Sequence, residues 1–470
     1  MTIIVDIFSG KQVAVMGLGR SGLASVHALV DGGAKVFAWD DNEDSRNKAT
    51  ALGAEIKDLS DAATLKLMEA LILSPGIPHT HPAPHPVAQA AKLADIPIIG
   101  DIELLYKSAP KANYIGITGT NGKSTTTALI GHILKDAGRN VEIGGNLGFP
   151  VLDLAPLSSD GTYVLEMSSY QLELLDTQKF NIALLLNITN DHLERHGGVE
   201  GYIAAKMNIF ARQSANDVAI IAVDDDRTAG IAEALTHSAA RVVPVSATCE
   251  VPGGIYIKDG HIIDDLEGKQ IDVFQMSFAT TLPGIHNAQN AVAAYAACRL
   301  SGLDSKEIID AISDFPGLAH RQQMIAIIDD VAFVNDSKAT NAEATARAMA
   351  CYGNIYWIAG GIAKDGGYAD LDPYLQNIRH AFLIGEAANN MAQHFNEYIN
   401  LTISDDLTNA VEQANNLAKA EGKRGAVILL SPACASFDQY KDFEARGDAF
   451  IDCVKKTPGS KRKFFVAEAA

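Results

Sequence analysis

Short apolar runs alternate with stretches of helical periodicity along nearly the whole chain. Residues 11–16, 35–39 and 114–118 are apolar runs of strand length, and helical patterns follow the first and last of them at 24–30 and 127–134. Runs this short, bounded by glycine turns, indicate buried strands rather than helices. Because strands and helices alternate, the pattern predicts an α/β fold with mainly parallel sheets, whose ligands bind at the carboxyl ends of the strands.

The alternation falls into three blocks that are separated by proline and glycine. A chain of 470 residues corresponds to about three domains, and breaks occur near Gly100 and at Phe315-Pro-Gly317. We therefore expect a Rossmann-like N-terminal domain over 1–100, a central P-loop-type ATPase domain with a parallel sheet over 101–317, and a Rossmann-like C-terminal domain over 318–470.

Composition narrows the possible functions. The net charge is −19, from 38 Lys and Arg against 57 Asp and Glu, and it argues against nucleic acid, which proteins bind through clustered cations. The five cysteines are scattered without a Cys-x-x-Cys pair, so we expect a reducing compartment and no cysteine metal cluster. The N-terminus lacks a basic signal region, and no apolar run approaches membrane-spanning length. These features predict a soluble cytoplasmic protein that does not bind membranes.

The segment Gly119-Thr-Asn-Gly-Lys-Ser-Thr-Thr126 carries the strongest chemical signal in the chain. It joins a predicted strand to a predicted helix, the arrangement in which loop amides and a helix N-terminus hold phosphate oxygens. Lys123 adds a positive charge, and the Ser124 hydroxyl can reach Mg²⁺. The common phosphate-loop pattern has a glycine where this chain has Ile117, so a turn that only caps an ordinary helix is the weaker alternative.

A second glycine turn, Gly17-x-Gly19-x-x-Gly22, follows the first predicted strand, and Asp40 lies at about the distance of the acidic residue in dinucleotide-binding folds. The turn is compatible with a NAD(P)-linked oxidoreductase, and equally with a protein that binds a nucleotide-sugar diphosphate. Polar groups at other strand ends favour the second interpretation. Glu166 follows one apolar run and Asp191-His192 follow another, and a dehydrogenase has no need of metal-type ligands beside a triphosphate loop.

Several segments together resemble the Mur ligases, ATP-dependent enzymes that build the peptide of bacterial cell-wall precursors. The resemblance spans essentially all 470 residues. Two segments, 335–341 and 430–447, are most similar to the member that joins D-glutamate to UDP-N-acetylmuramoyl-L-alanine. Folylpolyglutamate synthetases share the phosphate loop and the fold but are not expected to carry these two segments. The other landmarks are, in chain order, Gly119 to Thr125, Glu166-Met-Ser-Ser169, Asn190-Asp-His192, Gly284-Ile-His-Asn-Ala-Gln-Asn290 and His320-Arg321.

The resemblance implies an ATP-dependent ligase that acts through an acyl phosphate. It implies two Mg²⁺ ions, with Ser124 and Glu166 on one and His192 on the other, and a carbamylated Lys206 that supplies two further oxygens. A bare ammonium beside two Mg²⁺ ions is repelled, whereas its CO₂ adduct is an anion. We expect a monomer that acts on small molecules.

The remaining site residues follow from the same resemblance, position by position. Those expected to be catalytic are Lys123, Glu166, His192 and Lys206. Those expected around ATP are Gly119, Thr120, Asn121, Gly122, Lys123, Ser124, Thr125, Asn287, Asn290, Arg321, Asp336 and Lys338. Those expected around the UDP-linked substrate are Gly19, Arg20, Ser21, Asp40, Ser74, Gly76 and Asn146. Those expected around D-glutamate are His320, Thr340, Lys364, Ser436 and Phe443. Because that ligand carries two carboxylates, a lysine with hydroxyl donors suits it.

Overall fold

The structure is a computed structural model that describes residues 2–364 and 366–465. The chain forms two compact units, one made of Met1–Ala279 with Ile285–Asp314 and the other of Thr280–Gly284 with Phe315–Ala470. Within the residues described, the first unit contains two sheets and the second contains one. The α/β class predicted from the sequence is therefore confirmed, whereas the division into three domains stays a prediction. None of the described helices is both long and apolar enough to cross a membrane.

The first sheet of unit 1 is entirely parallel, with the strand order β3-β2-β1-β4-β5. Its strands are β1 (Gln12–Met16), β2 (Lys35–Trp39), β3 (Glu55–Ile56), β4 (Leu71–Leu73) and β5 (Ile98–Ile99). Its helices are α1 (Arg20–Asp31), α2 (Glu43–Ala51), α3 (Ala62–Leu65), α4 (Pro86–Ala94) and α5 (Asp101–Ser108). The first helix begins four residues before the predicted helical pattern, because its first turn is polar and does not follow the apolar period.

The second sheet of unit 1 has nine strands in the order β14-β13-β12-β11-β10-β9-β6-β8-β7. They are β6 (Asn113–Thr118), β7 (Asn140–Gly145), β8 (Gly161–Glu166), β9 (Ile182–Leu185), β10 (Val218–Ala222), β11 (Arg241–Ser246), β12 (Ile255–Lys258), β13 (His261–Asp264) and β14 (Ile271–Gln275). The pairings from β7 to β12 are parallel, and β12, β13 and β14 pair antiparallel at one edge. The antiparallel edge was not predicted from the sequence.

Helices cover this second sheet and complete unit 1. The helices are α6 (Lys123–Asp136), α7 (Ser169–Leu172), α8 (Leu193–His196), α9 (Val199–Met207), α10 (Asp226–Leu235), α11 (Ile285–Leu300) and α12 (Ser305–Asp314). Two short 3₁₀ helices lie at Val151–Asp153 and Met276–Phe278. One continuous cluster of buried apolar side chains includes Val15 of the first sheet and Leu165 of the second, so apolar burial stabilises both sheets within one unit.

Unit 2 contains a seven-stranded sheet in the order β19-β18-β17-β20-β16-β15-β21. Five neighbouring strands are parallel, and β15 pairs antiparallel with both β16 and β21. The strands are β15 (Gln323–Ile328), β16 (Val331–Asn335), β17 (Asn354–Gly360), β18 (Ile378–Ile384), β19 (Leu401–Asp405), β20 (Ala426–Leu430) and β21 (Arg462–Phe464). The helices are α13 (Ala342–Met349), α14 (Ala388–Phe395), α15 (Leu407–Glu421) and α16 (Phe443–Lys456), with a 3₁₀ helix at Ala369–Asn377.

Candidate active site

The phosphate loop lies between the end of β6 and the start of α6, as the sequence predicts. Gly122 caps the helix in the left-handed conformation, with φ of 83°. A Cβ atom added there would lie 2.3 Å from Oδ1 of Asn290, so glycine is required for both conformation and space. The loop and α11 therefore touch, and Thr126 Oγ1 also donates to Asn290 Oδ1 at 3.2 Å.

Lys123, the first residue of α6, turns back over the loop. Its Nζ donates to the carbonyl oxygens of Gly119 at 2.9 Å and Thr120 at 2.7 Å. These contacts hold a positive charge at the N-terminus of the helix, where the partial charge of the helix is also positive. Together the two features make this end of α6 suited to an anion with several oxygens.

Lys206 on α9 is buried against the same loop. The residue is 1% exposed. Its Nζ lies 2.8 Å from the Gly119 carbonyl oxygen and 4.5 Å from the centroid of the Tyr202 ring. Burial, reinforced by the nearby Lys123 charge, holds the pKa of Lys206 well below its ordinary value. This environment shifts the lysine towards the neutral amine, which is the form that reacts with CO₂.

Glu166 ends β8, the strand next to β6, and is also buried. Oε1 accepts a hydrogen bond from Asn146 Nδ2 at 2.7 Å, whereas Oε2 is buried without a hydrogen-bond partner. A buried carboxylate oxygen without a donor is costly, and a bound cation would satisfy it. Ser124, in the first turn of α6, is buried as well.

These groups fit a cation that takes most of its ligands from elsewhere. Among the described residues, no three His, Cys, Asp or Glu side chains come together to hold a metal ion. Mg²⁺ commonly binds one or two protein oxygens and completes its shell with phosphate oxygens and water. The orphan oxygen of Glu166 and the hydroxyl of Ser124 are therefore suitable for Mg²⁺ bound together with a nucleotide.

His192 differs from these groups because it is exposed. It precedes α8 in a left-handed conformation with φ of 51°, its side chain is 51% exposed, and Nε2 lies 3.4 Å from Asp191 Oδ2. The ring is 5.1 Å from that of Tyr170. The His192 ring is therefore accessible to a ligand from solvent.

A buried hydrogen-bond network next to His192 was not predicted from the sequence. His196 is fully buried in its side chain, and it lies between Glu173 Oε1 at 2.8 Å and Ser169 Oγ at 2.9 Å. Arg195 also contacts Glu173, at 3.3 Å, and donates to the carbonyl of Ile77 at 3.2 Å. The spacing of these residues carried no signal, since the network joins the α7 region, α8 and the loop at Ile77, which are separated in sequence.

The residues predicted around the UDP-linked substrate surround the first glycine turn, with Asn146 as the exception. Asp40 accepts from the backbone of Leu18 at 2.6 Å and of Asn42 at 2.8 Å, and Ser74 Oγ donates to the Gly17 carbonyl at 2.8 Å. Arg20 and Ser21 lie in the first turn of α1, Gly19 is its N-cap residue, and both Gly19 and Gly76 are exposed. Asn146 instead follows β7 of the second sheet and is hydrogen-bonded to Glu166.

In unit 2, the predicted nucleotide residue Asp336 follows β16 and is buried. It accepts from Ser431 Oγ at 2.7 Å and from the backbone of Gln322 at 3.1 Å, and burial raises its pKa to about 7. Arg321 lowers that pKa by its charge. Lys338 Nζ lies 3.8 Å from the centroid of the Phe443 ring, a cation–π contact.

The residues predicted around D-glutamate are all in unit 2. Lys364 Nζ donates to Thr340 Oγ1 at 3.3 Å. His320 lies 3.1 Å from Asn335 Nδ2 through its Nδ1, its ring centroid is 6.3 Å from that of Phe443, and burial lowers its pKa. Ser436 is buried.

Arg446 lies within the segment 430–447, but the sequence predicted no role for it. It is 1% exposed, and its guanidinium donates to the carbonyls of Ser337, Gly360 and Cys434 at 2.9 to 3.3 Å. Burial lowers its pKa to about 10. The arginine therefore ties together the loops that carry Lys338, Lys364 and Ser436.

Comparisons with known proteins identify the family of this chain. The family described as "Mur ligase middle domain" matches residues 117–298, and "Mur ligase MurD-like, N-terminal domain" matches residues 11–100. A solved D-alanyl-D-alanyl-adding Mur ligase of Acinetobacter baumannii has a TM-score of 0.57 at 17% identity, covering 90% of both chains. The UDP-N-acetylmuramate-alanine ligase of Thermotoga maritima has a TM-score of 0.55 at 16% identity, covering 95% of this chain and 99% of the other. An ATP-binding ligase fold of the Mur type is the class that these features define.

Curated relatives narrow the class further. Proteins named UDP-N-acetylmuramoylalanine–D-glutamate ligase from Rhodospirillum rubrum and Caulobacter vibrioides are each 47% identical to this chain. The first match covers 95% of both proteins, and the second covers 98% of this chain and 99% of the relative. A relative of the same name from Rhizobium meliloti is 46% identical over 97% of this chain. The chain belongs to the UDP-N-acetylmuramoylalanine–D-glutamate ligase family of the Mur ligases.

Proposed function

We propose that this chain is an ATP-dependent ligase that joins D-glutamate to UDP-N-acetylmuramoyl-L-alanine in the synthesis of peptidoglycan precursors. The observation that carries the proposal is the identity of 47% to ligases of that name over nearly the full length of both chains. The phosphate loop supports it independently, because a ligase needs ATP to activate a carboxylate. The first glycine turn lies within the Mur ligase N-terminal domain, so we assign it to the UDP-linked substrate and not to a nicotinamide dinucleotide.

The proposed reaction has two steps. An oxygen of the alanyl carboxylate attacks the γ-phosphorus of ATP and ADP leaves; the D-glutamate nitrogen then attacks the acyl phosphate, forming the amide as phosphate leaves. Both steps concentrate negative charge, so positioning and electrostatic stabilisation supply most of the catalysis. In this proposal Lys123 and the loop amides bind the β- and γ-phosphates and stabilise that charge.

We assign the metal-binding role to Ser124, Glu166, His192 and a carbamylated Lys206, with two Mg²⁺ ions. Mg²⁺ would neutralise phosphate charge during the transfer. The orphan oxygen of Glu166 and the buried, readily deprotonated amine of Lys206 support the assignment. A carbamate on Lys206 would place an anion beside the Lys123 cation, in place of an amine whose protonated form Lys123 repels.

The other assignments follow the sequence predictions. In unit 1, Gly19, Arg20, Ser21, Asp40, Ser74, Gly76 and Asn146 would bind the UDP-linked substrate, with Asp40 shaping the turn through its backbone contacts. Asn287 and Asn290 of α11, with Arg321, Asp336 and Lys338 of unit 2, would bind ATP. His320, Thr340, Lys364, Ser436 and Phe443 would bind D-glutamate. We also propose that the protein is a cytoplasmic monomer that acts on these small molecules.

The test is ADP release by the purified full chain with UDP-N-acetylmuramoyl-L-alanine, ATP and Mg²⁺. We expect release with D-glutamate and little with L-glutamate, D-aspartate or L-lysine. Product mass then confirms the new amide. ADP release that does not depend on D-glutamate, or turnover of NAD(P)H without ATP, would contradict the proposal.

A further inference from the structure

Two side-chain amides, those of Asn187 and Gln289, connect the phosphate loop to Asp224. We call this row of hydrogen-bonded groups the amide chain. Asn187, which follows β9, accepts from the backbone N–H of Asn121 at 2.8 Å through Oδ1, and its Nδ2 donates to the Asn121 carbonyl at 3.1 Å. The same Nδ2 donates to Oε1 of Gln289, in α11, at 3.2 Å. Gln289 Nε2 donates to Oδ2 of Asp224, which follows β10, at 2.6 Å. Three elements of unit 1 thus meet behind the loop.

The carboxylate at one end of the amide chain and the Asn121 backbone at the other require the same direction for every hydrogen bond between them. An ionised Asp224 can only accept, so Gln289 must turn its Nε2 towards it and its Oε1 towards Asn187. Asn187 must then present Nδ2 to Gln289, which leaves its Oδ1 to accept from the Asn121 N–H. Any reversed amide would place two donors or two acceptors face to face.

Asp224 is itself held in place by the turn after β11. Its second oxygen, Oδ1, accepts from four donors: Ser246 Oγ at 2.7 Å, Ala247 N at 2.9 Å, Thr248 N at 3.0 Å and Thr248 Oγ1 at 2.8 Å. An asparagine at this position would keep its oxygen on these four donors. Its NH₂ group would then face Gln289 Nε2, and the clash would reverse Gln289 and, in turn, Asn187.

We infer that Asp224, Gln289 and Asn187 are positioning residues that fix the backbone of the phosphate loop at Asn121 for nucleotide binding. The loop amides that follow Asn121 point towards a phosphate only if the Asn121 peptide is held in this orientation. The inference rests on the proposed function, in which this loop binds ATP. It assigns a nucleotide-affinity role to Asp224, whose contacts are with Gln289 and the turn after β11.

The experiment measures ATP and UDP-substrate dissociation constants of the full chain by isothermal titration calorimetry. In Asp224→Asn we expect ATP affinity to fall roughly tenfold, since a charge-assisted hydrogen bond and its dependants are lost, while UDP-substrate affinity stays unchanged. The double variant Asp224→Asn/Gln289→Glu places an acceptor-only group between residues 224 and 187 of the amide chain, and it keeps the net charge of the protein. It should recover most of the ATP affinity.

Two further variants separate the amide chain from the turn. Ser246→Ala removes one of the four turn donors and should leave ATP affinity within about twofold of the wild type. Gln289→Leu interrupts the amide chain and leaves the Asp224 side chain unaltered. It should weaken ATP binding, and it keeps the inference testable if Asp224→Asn folds poorly.

Wild-type ATP affinity in both Asp224→Asn and Gln289→Leu would overturn the inference. So would a loss in Asp224→Asn that Gln289→Glu does not recover, or an equal loss in Ser246→Ala, because either would assign the effect to the turn. Failure of the unaltered chain to bind ATP would instead contradict the proposed function.

Discussion

Asp336 should make the stability of this protein fall as the pH rises. Its carboxyl is buried beside β16, and burial raises its pKa to about 7 from an ordinary value of 3.8. In the folded state the neutral acid is favoured, whereas in the unfolded chain the group is ionised above about pH 4. The stabilising contribution is therefore complete below the unfolded pKa and is lost as the pH rises through the folded pKa.

The size of this effect follows from the two pKa values. Between them, each pH unit changes the free energy of unfolding by about 1.36 kcal/mol. From about pH 5 to pH 8, only the interval below the folded pKa of about 7 contributes, so Asp336 should lower the unfolding free energy by roughly 2.7 kcal/mol. Because the histidines of the unfolded chain also titrate in this range, the wild-type slope alone does not isolate Asp336.

The assay is urea unfolding of the full chain at both pH values, for the wild type and for Asp336→Asn. An asparagine resembles the protonated acid, since its NH₂ group can donate to Ser431 Oγ while its oxygen accepts from the Gln322 backbone. We expect the variant to lack this part of the pH dependence. The difference in unfolding free energy between the wild type and the variant should therefore change by roughly 2 to 3 kcal/mol between the two pH values. Equal pH dependence in the two proteins would refute the burial argument.

Three further perturbations test the nucleotide site. Lys123→Ala should reduce ligation by about a thousandfold or more, because it removes the cation aimed at the phosphates, while far-UV circular dichroism stays unchanged; near-wild-type kcat would count against the loop assignment. Lys206→Ala should be nearly inactive and partly rescued by acetate, whose oxygens replace those of the proposed carbamate, and full activity without acetate would contradict that role. Gly122→Ala should weaken ATP binding through roughly 1 to 3 kcal/mol of backbone strain and the close contact with Asn290; its control, Gly230→Ala on α10, meets open space and should bind ATP normally.

The parallel sheets could be predicted because each strand and its following turn are local features. Lys35–Trp39 is a strand with the bounds that its apolar run indicates, and β6 starts one residue before its predicted run. The antiparallel edge was missed although a local signal existed. Asp259-Gly260 joins β12 to β13 with φ values of 49° and 80°, which is the Asp-Gly turn typical of tight hairpins.

Side-chain environments were the part that local patterns could not supply. The burial of Lys206 depends on α9 packing against a loop that lies far away in the sequence, and only resemblance drew attention to it. Arg446 carries no such signal either, because an arginine in a helix is ordinarily solvated. Its burial becomes visible only when three separate loops place their carbonyl oxygens around it.

The negative charge of the chain makes local positive charge important at the proposed nucleotide site. ATP and the UDP-linked substrate are anions, and a net charge of −19 opposes their approach at long range. Surface charges are screened by salt, whereas charges in a partly buried loop are screened much less. Lys123 and the amides at the start of α6 can therefore dominate once a phosphate reaches the loop. The nearby Lys206 could act as a second cation only if its charged ammonium group were buried away from water, which is unfavourable. A buried amine with a strongly lowered pKa is suited to forming a carbamate. The carbamate would be an anion that binds metal ions, and these would supply the positive charge together with the nucleotide.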